Sequence, residues 1–352
     1  MRRLSLAFCA LALLLTAGCD SDGTEASGSV RVMTQNLYLG GDLFTLLQPE
    51  CEGNAIVGCV GRLYATIQAS DPASRMAAIA AEIARVNPDL VGLQEVSTYY
   101  VQTPGDNLPG AAGTQATQVS FDFLDLLMAA LEAEGASYVV ASQSPNSDVE
   151  FPATANGTDF FDVRYTDSDV ILRRSDVSTS NAFEKHFNSI LTIPVGGVNQ
   201  QFLRGYQRVD AVVDGFAFTF FNTHLEVGGQ AETLQTAQSI ELRSAVEAVA
   251  GPVVMVGDIN SNGNANGPSY AVLTAPLTDA FAAGTAATCC QAPDLRNTTS
   301  SLATRIDVIL TRGFDATAAG EVVLDMPADR VGGLWPSDHA GVWAQVDAGV
   351  DS

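Results

Sequence analysis

Basic residues are scarce in this chain of 352 residues, which has 17 lysine and arginine residues against 40 aspartate and glutamate residues and a formal charge of −23. Such an acidic chain repels polyanions unless metal ions or a local basic patch intervene, which disfavours a nucleic-acid partner without excluding it. Charged residues make up only 16% of the chain, whereas hydrophobic residues make up 47%. That balance excludes intrinsic disorder, a collagen-like repeat and a coiled coil, and it supplies enough apolar material for a large core.

Apolar runs long enough to span a bilayer are absent beyond the N-terminus, which argues against an integral membrane protein. At the N-terminus itself, Arg2 and Arg3 precede an apolar run at residues 4–15 that is too short for a comfortable transmembrane helix. A positive segment followed by a short apolar segment is typical of an export signal, which we expect at residues 1–18.

The end of that signal resembles the lipobox of bacterial lipoproteins, in which a cysteine is lipidated and becomes the mature N-terminus. The residues are LTAGC at 15–19, with Thr16 where a large aliphatic residue is usual. We therefore expect a lipid on Cys19, a flexible tether at residues 19–29 and attachment to the cell membrane or outer surface. If Cys19 is not lipidated, the signal directs secretion. Loss of Arg2 and Arg3 leaves 15 basic and 40 acidic residues, a charge of −25.

Cysteines are few, and after Cys9 in the signal and Cys19 at the lipobox four remain: Cys51, Cys59, Cys289 and Cys290. Four cysteines allow three pairings. A bond between the two adjacent cysteines would violate the usual Cα separation. We expect either two bridges from the 51–59 loop to the 289–290 pair, or one local bridge within that loop. Zinc binding is disfavoured because the pairs lack the usual two-residue spacing and have no histidine nearby in the sequence.

Hydrophobic periodicity predicts short strands that alternate with helices, and no linker divides residues 30–348. We therefore expect a single α/β domain over that range. The predicted helices cover residues 72–86, 120–134 and 230–250. The predicted strands cover residues 30–36, 89–94, 138–141, 170–173, 209–213, 216–222, 253–256 and 305–310.

Polar side chains follow or interrupt these strands, at positions where strand ends can hold them rigidly around one cleft. They are Asn36, Glu95, NTHL at 222–225, GDIN at 257–260, RID at 305–307 and SDH at 337–339. Each alone has an ordinary structural explanation, such as a turn residue for Asn36 or loop formers for Asp258 and Asn260. Asp307 is different, because a carboxylate in an apolar strand needs a partner.

The ordered set N…QE…NTHL…GDxN…RID…SDH spans residues 30–346 and resembles the endonuclease/exonuclease/phosphatase superfamily. That superfamily includes pancreatic-type deoxyribonucleases, abasic-site endonucleases, inositol polyphosphate phosphatases and neutral sphingomyelinases. The resemblance implies a four-layer α/β sandwich with two packed, mainly antiparallel sheets flanked by helices. His186 matches none of these motifs, and we expect it to be structural or on the surface.

The resemblance also implies a divalent cation, Mg²⁺ or else Mn²⁺ or Ca²⁺, with Asn36 and Glu95 as ligands. Asp338 would help to hold the metal or its waters. A hard cation prefers oxygen ligands and is typically held by one or two carboxylates together with substrate phosphate. Asp258 and Asn260 would position the attacking water or a second metal.

Two histidines fall within the motifs, and the resemblance implies a different role for each. His339 would take the proton of the attacking water, with Asp307 fixing its tautomer. His224 would donate a hydrogen bond to the phosphoryl oxygen in the transition state. Whether Asp258 or His339 is the proton acceptor remains open at this point, and Tyr165, Arg173 and Arg174 are further candidates for the cleft.

The resulting functional hypothesis is an exported, monomeric, divalent-metal-dependent phosphoesterase that hydrolyses a small-molecule or phospholipid-type phosphodiester by in-line attack of an activated water. It depends on the acidic composition, the absence of a lysine or arginine run and the expected anchor, although the sequence offers no clear hairpin for insertion into a bilayer. One alternative is an extracellular nuclease that uses divalent ions to bridge the charge. Another is a non-catalytic surface interaction protein on the same scaffold, against which the complete motif set argues.

Overall fold

The computed structural model describes residues 28–107, 113–195, 198–281 and 287–348. The predicted export signal, Cys19 and nearly all of the predicted tether at 19–29 lie outside the described residues. None of the helices described is both long enough and apolar enough to cross a membrane.

The described elements include the three predicted helices and the eight predicted strands, together with helices and strands that were not predicted. The helices are α1 (Ile56–Ala69), α2 (Pro72–Val86), α3 (Phe123–Ala133), α4 (Glu232–Glu247) and α5 (Pro268–Leu273). The strands are β1 (Ser29–Asn36), β2 (Leu90–Gln94), β3 (Thr98–Gln102), β4 (Gln118–Asp122), β5 (Tyr138–Thr154), β6 (Phe160–Arg174), β7 (Ser178–His186), β8 (Leu191–Val195), β9 (Val198–Phe202), β10 (Gly205–Val213), β11 (Phe216–His224), β12 (Val253–Asp258), β13 (Thr278–Asp279), β14 (Asp307–Arg312), β15 (Phe314–Val323) and β16 (Gly341–Ala348).

Two large sheets form the centre of the fold. The first has the order β15-β16-β1-β2-β6-β3-β4, with β5 also paired to β6, and the second has the order β13-β14-β12-β11-β10-β7. Among the described strands, β1 with β2 and β11 with β12 are parallel, and the other paired neighbours are antiparallel. The prediction of two mainly antiparallel sheets is therefore confirmed.

Burial on both faces of each central strand produces the layers. In β1, Val32 belongs to the apolar cluster between the sheets, whereas its neighbour Met33 packs with residues of α2 and α3. In β12, Val254 faces the first sheet and Met255 packs with residues of α4 and α5. Successive strand side chains point to opposite faces, so a strand between two apolar layers is apolar throughout. This is the predicted four-layer sandwich.

Strand register brings the motif residues to one edge of the sandwich. The parallel pairing of β1 and β2 places Asn36 opposite Gln94, so that Glu95 follows at the same edge. The parallel pairing of β11 and β12 places His224 opposite Asp258, and β14 places Asp307 opposite Asp258 from the other side. The ends of both sheets therefore meet where the sequence predicts a cleft.

One helix prediction has a wrong start, and two helices, α1 and α5, were missed. The helix expected at 120–134 begins only at Phe123, because residues 118–122 form β4 and the Asp122 side chain caps the helix by accepting a hydrogen bond from the backbone of Asp125. Helix α1 was not predicted. It contains Gly61, where a Cβ atom would collide with the backbone of Thr154, so close packing requires a residue that favours helices poorly.

The expected cysteine pairing is corrected in one respect. Cys51 and Cys59 form the local bridge, and Cys289 and Cys290 are bonded to each other instead of to the 51–59 loop. Cys51 and Cys59 are buried in the apolar cluster around α1. Cys289, in contrast, is held by backbone pairing with Thr304 and with His339. The two pairs therefore belong to different parts of the fold.

Candidate active site

Asn36 joins the two sheets at the base of the site. Its amide nitrogen donates to Glu95 Oε1 at 3.2 Å and to Asp258 Oδ2 at 3.1 Å, and its Oδ1 accepts from the backbone nitrogen of Tyr38 at 2.9 Å. Two carboxylates from different sheets are thereby held side by side. The amide oxygen of Asn36 accepts from Tyr38 and has a second lone pair, so the ligand role expected for Asn36 stays a prediction.

Asp258 lies at the centre of the cluster and is almost completely buried. Its Oδ2 is 3.4 Å from Nε2 of His224 and 3.8 Å from Nε2 of His339, and its Oδ1 accepts from the backbone of Asn260 at 2.9 Å. Burial raises the pKa of Asp258 to about 7, an effect that His339 opposes and Asp307 reinforces. The side chain of Asn260 donates to the carbonyl of Leu225 at 3.0 Å, so the loop after β12 is fixed.

Asp307 has the partner that its position in an apolar strand demands. Its Oδ2 lies 2.9 Å from Nδ1 of His339, and both side chains are buried. Burial lowers the pKa of His339, but the carboxylates of Asp307, Asp338 and Asp258 outweigh burial and raise it well above its ordinary value. The Asp307 contact occupies Nδ1 of the ring, so Nε2 is the nitrogen of His339 that lies toward Asp258 and the cavity.

Arg204 fixes the protonation of His224, and the sequence analysis missed it. Its Nη1 lies 2.7 Å from Nδ1 of His224. Arginine has only donors, so Nδ1 must be the acceptor and the ring proton is on Nε2, which faces Asp258. Burial lowers the pKa of His224 well below its ordinary value, with the charges of Arg204 and His339 adding to the effect. Arg204 precedes Gly205, which pairs with His224 across β10 and β11, so the contact depends on this strand pairing and no motif in the sequence marks it.

The donor set at this edge fits a hard divalent cation. Glu95, Asp258 and Asp338 line one cavity with His339, and Oδ1 of Asp338 has no hydrogen-bond partner among the described residues. Burial raises the pKa of Asp338 to about 7; His339 opposes that rise and Glu95 adds to it. A cation would offset the repulsion between such carboxylates, and oxygen donors suit Mg²⁺, Mn²⁺ or Ca²⁺. The ligand atoms of Asp258, Asp307 and His339 also lie within 4.8 Å of one another, close enough to hold a metal ion.

The remaining candidates separate into one inside the cavity and three outside it. Tyr165 lines the cavity. Arg173 donates to the carbonyl of Val177 at 2.8 Å, and Arg174 pairs with Asp89 at 2.8 Å, so neither belongs to the site. His186 is half-buried at the end of β7 with its Nε2 2.8 Å from the carbonyl oxygen of Pro145, as a structural histidine would be.

Comparisons with known proteins agree with this geometry. A family model described as the Endonuclease/Exonuclease/phosphatase family matches residues 33–339. Among solved structures, a Bacteroides thetaiotaomicron protein of the same family has a TM-score of 0.55 at 16% identity, covering 92% of this chain and 96% of that one. A mannosyl-6-phosphatase from that organism has a TM-score of 0.53 at 16% identity, with 90% and 99% covered.

A more distant similarity extends to a eukaryotic protein. Truncated TDP2 from Caenorhabditis elegans has a TM-score of 0.50 at 18% identity, covering 91% of this chain and 98% of that one. At such identities these similarities establish the fold alone. No curated protein matches the chain significantly.

Proposed function

The chain belongs to the Endonuclease/Exonuclease/phosphatase family, and from that membership and the site we propose that it is an exported, divalent-metal-dependent phosphodiesterase. The observation that carries the proposal is the pair of His339 and Asp307, joined at 2.9 Å, with Nε2 of His339 directed toward a cavity whose lining includes the carboxylates of Glu95, Asp258 and Asp338. Such a pair can accept a proton from water that attacks a phosphorus centre.

The residues of this chain divide the chemistry among them. His339, whose pKa the charge of a bound cation would lower so that Nε2 is unprotonated, takes the proton of the attacking water at that atom, while Asp307 holds the ring and stabilises its charged form. His224, kept neutral by Arg204, donates its Nε2 proton to a phosphoryl oxygen. Glu95, Asp338 and Asp258 would hold the cation, which when bound polarises the phosphoryl oxygen and offsets the charge of an in-line displacement. Asn260 keeps Asp258 in position.

The charge of the cavity supports a phosphodiester as the substrate. Among the described lining residues, Arg204 is the single arginine or lysine, whereas six residues are acidic: Asp42, Glu95, Asp167, Glu226, Asp258 and Asp338. A polyanion such as DNA or an inositol polyphosphate would need more positive charge than this. A phosphodiester carries one negative charge, which one or two cations can balance.

A panel of substrates tests the proposal. Bis(4-nitrophenyl) phosphate, sphingomyelin, plasmid DNA and inositol phosphates are each incubated with the protein, in Mg²⁺ and in excess chelator. We expect the small diester, and a lipid diester, to be hydrolysed in Mg²⁺ and to be stable in chelator. If only DNA is hydrolysed, the protein is a nuclease and the proposed substrate is wrong. If the rates in Mg²⁺ and in chelator are equal, the reaction does not depend on a divalent metal.

We also propose export and anchoring through lipid on Cys19, as the residues 1–19 suggest. Covalent acyl chains contribute about 0.8 kcal/mol of membrane affinity for each buried CH₂ group. The variant Cys19→Ser should therefore move from the membrane fraction to the soluble fraction after cell lysis. If the serine variant remains with the membranes in the same proportion as the parent, the anchor is not at Cys19.

A further inference from the structure

The cavity that contains the candidate active site continues away from it between two apolar walls. We propose that these walls bind the hydrocarbon chain of an amphiphilic phosphodiester whose phosphate lies at the Asp258 and His339 end. The inference rests on the proposed function for the phosphate, but the binding of the chain is a separate property. The cavity has a volume of about 340 Å³, within the range of about 300–1,000 Å³ that is typical of small-molecule sites.

The first wall, residues 39–47, follows β1. Leu43–Leu47 is a short 3₁₀ helix that Asp42 caps by accepting from the backbone of Phe44 at 2.9 Å. Phe44 and Leu47 line the cavity although 47% and 40% of their surface is exposed. The backbone of Leu39 donates to Glu95 Oε2 at 2.9 Å, so the wall is tied directly to the candidate metal-binding carboxylate.

The second wall is the hairpin formed by β8 and β9, which pair with each other as a separate two-stranded sheet. Along β8, the apolar Leu191, Ile193 and Val195 line the cavity, while Thr192 and Pro194 between them are exposed. Alternate side chains of a strand share a face, so the hairpin turns one apolar face inward. The hairpin itself was not predicted from the sequence, and its apolar face is directed at the cavity.

The chemistry of these walls identifies the occupant. Arg204, the single arginine or lysine among the described lining residues, already bonds to His224 and lies 3.7 Å from Glu226. Sugars and nucleotides would leave their hydroxyl groups and charges without partners against leucine, isoleucine and phenylalanine side chains. An alkyl chain has no such groups, and its transfer from water to these walls is favourable. The exposed Phe44 and Leu47 mark the end through which the chain enters.

Binding can be measured without catalysis. Hexylphosphocholine and dodecylphosphocholine, both below their critical micelle concentrations, are titrated into the protein by calorimetry in the presence of chelator. Each methylene that becomes buried should tighten binding about fourfold. We therefore expect the dodecyl compound to bind at least about tenfold more tightly than the hexyl compound. Equal dissociation constants for the two compounds would overturn the inference.

Matched variants locate the binding. Ile193→Asn on the inner face of β8 should abolish the preference for the longer chain, whereas Thr192→Asn on the outer face of the same strand should keep it. Phe44→Ser changes a side chain that is half exposed, so it should fold normally and weaken binding of the dodecyl compound. Circular dichroism melting checks the fold of each variant. Equal chain preference in all three variants would contradict the assignment of these walls.

Hydrolysis of methyl, hexyl and dodecyl 4-nitrophenyl phosphates in Mg²⁺ separates the two proposals. Catalytic efficiency should rise along this series in the parent and remain flat in Ile193→Asn. Equal hydrolysis of all three esters by the parent would overturn the chain site and leave the phosphodiesterase intact. If binding depends on chain length but no ester is hydrolysed, the chain site stands and the proposed phosphodiesterase activity is wrong.

Discussion

The two histidines of the site lie on either side of Asp258, yet their surroundings drive them to opposite protonation states. His339, paired with Asp307 and facing other carboxylates, has its pKa raised well above the ordinary value despite its burial. His224 is buried against Arg204, and its pKa lies well below that value. The role of each histidine is therefore decided by the residue that contacts its Nδ1, and not by its position in the cleft.

The strongest challenge to this comparison is the removal of His339. If His339 is the proton acceptor, His339→Ala should lower kcat for bis(4-nitrophenyl) phosphate by about 10²–10⁴-fold, the usual size of a general-base contribution. Asp258→Ala is the matched test of the other candidate acceptor. A larger loss in Asp258→Ala, with most turnover retained in His339→Ala, would transfer the role to Asp258.

Asp307, the partner of His339, should affect catalysis only through His339. Asp307→Ala should also lower kcat by about 10²–10⁴-fold. The double variant should lower kcat little more than His339→Ala alone does, because the effects of residues that act as a unit are not additive. Steady-state kinetics of the two single variants and the double variant measure this. Additive losses would mean that Asp307 has a separate function at the site.

Removal of a carboxylate should affect metal binding before it affects the fold. An ion pair of unit charges at about 4 Å near a protein surface is worth on the order of 4 kcal/mol, so Glu95→Gln should raise the Mg²⁺ concentration for half-maximal activity by about a hundredfold or more. Thermal melting in chelator should be close to that of the parent. An unchanged Mg²⁺ requirement would exclude Glu95 as a ligand.

The site residues that lie at the ends of predicted strands were found from the sequence. Asn36, Asp258 and Asp307 come together because β1 and β12 end, and β14 begins, at one edge, and short runs of apolar residues predict such buried strands. Arg204 was not predicted, because its role depends on the antiparallel pairing of β10 with β11 and on no motif of its own. Its contact with His224 is tertiary, and no periodicity in the chain encodes it.

The apolar walls and the bond between Cys289 and Cys290 were not predicted from the sequence, whereas the Cys51–Cys59 bridge was one of the two expected pairings. The β8–β9 hairpin is short, contains Pro194 and pairs with neither large sheet, so its strands lack a strong pattern. The pairing of Cys289 with Cys290 contradicts a rule of spacing, whereas their separation from Cys51 and Cys59 is visible only in the packing of α1.

A smaller effect is expected on the His224 side. Loss of a residue that orients a functional imidazole typically costs about 10- to 100-fold in activity, so Arg204→Met should lower kcat within that range. Arg208→Met removes the same charge from β10, where the guanidinium of Arg208 lies over the Phe183 ring, and should leave kcat unchanged. Equal losses in both variants would indicate an effect of net charge and not of the His224 tautomer.

The smallest effect concerns stability beside His224, where Oδ2 of Asp167 and of Asp169 both accept from the amide of Asn146. Burial raises the pKa of Asp167 to about 7, with Arg204 opposing the rise. The folded state then binds more protons at Asp167 than the unfolded state does. The contribution of Asp167 to the free energy of unfolding therefore falls as pH rises from about 4 to 7.

Asp167→Asn removes that dependence. Relative to the parent, the variant should gain in Tm between pH 5 and pH 8, as measured by calorimetric melting in chelator. A difference in Tm between variant and parent that does not change with pH would show that the folded protein does not hold Asp167 protonated.

The protonation of the two imidazoles can be observed directly, because the chain has only three histidines. Long-range ¹H–¹⁵N spectra of protein labelled at histidine and kept in chelator, with His186→Gln used for assignment, report the state of each ring nitrogen. At pH 7 in chelator we predict His339 protonated on both nitrogens and His224 neutral with its proton on Nε2, and we predict that His339 loses its Nε2 proton when Mg²⁺ is then added in excess. A charged His224, a proton on its Nδ1, a neutral His339 in chelator, or a His339 that keeps its Nε2 proton in Mg²⁺ would contradict the division of roles between the two histidines.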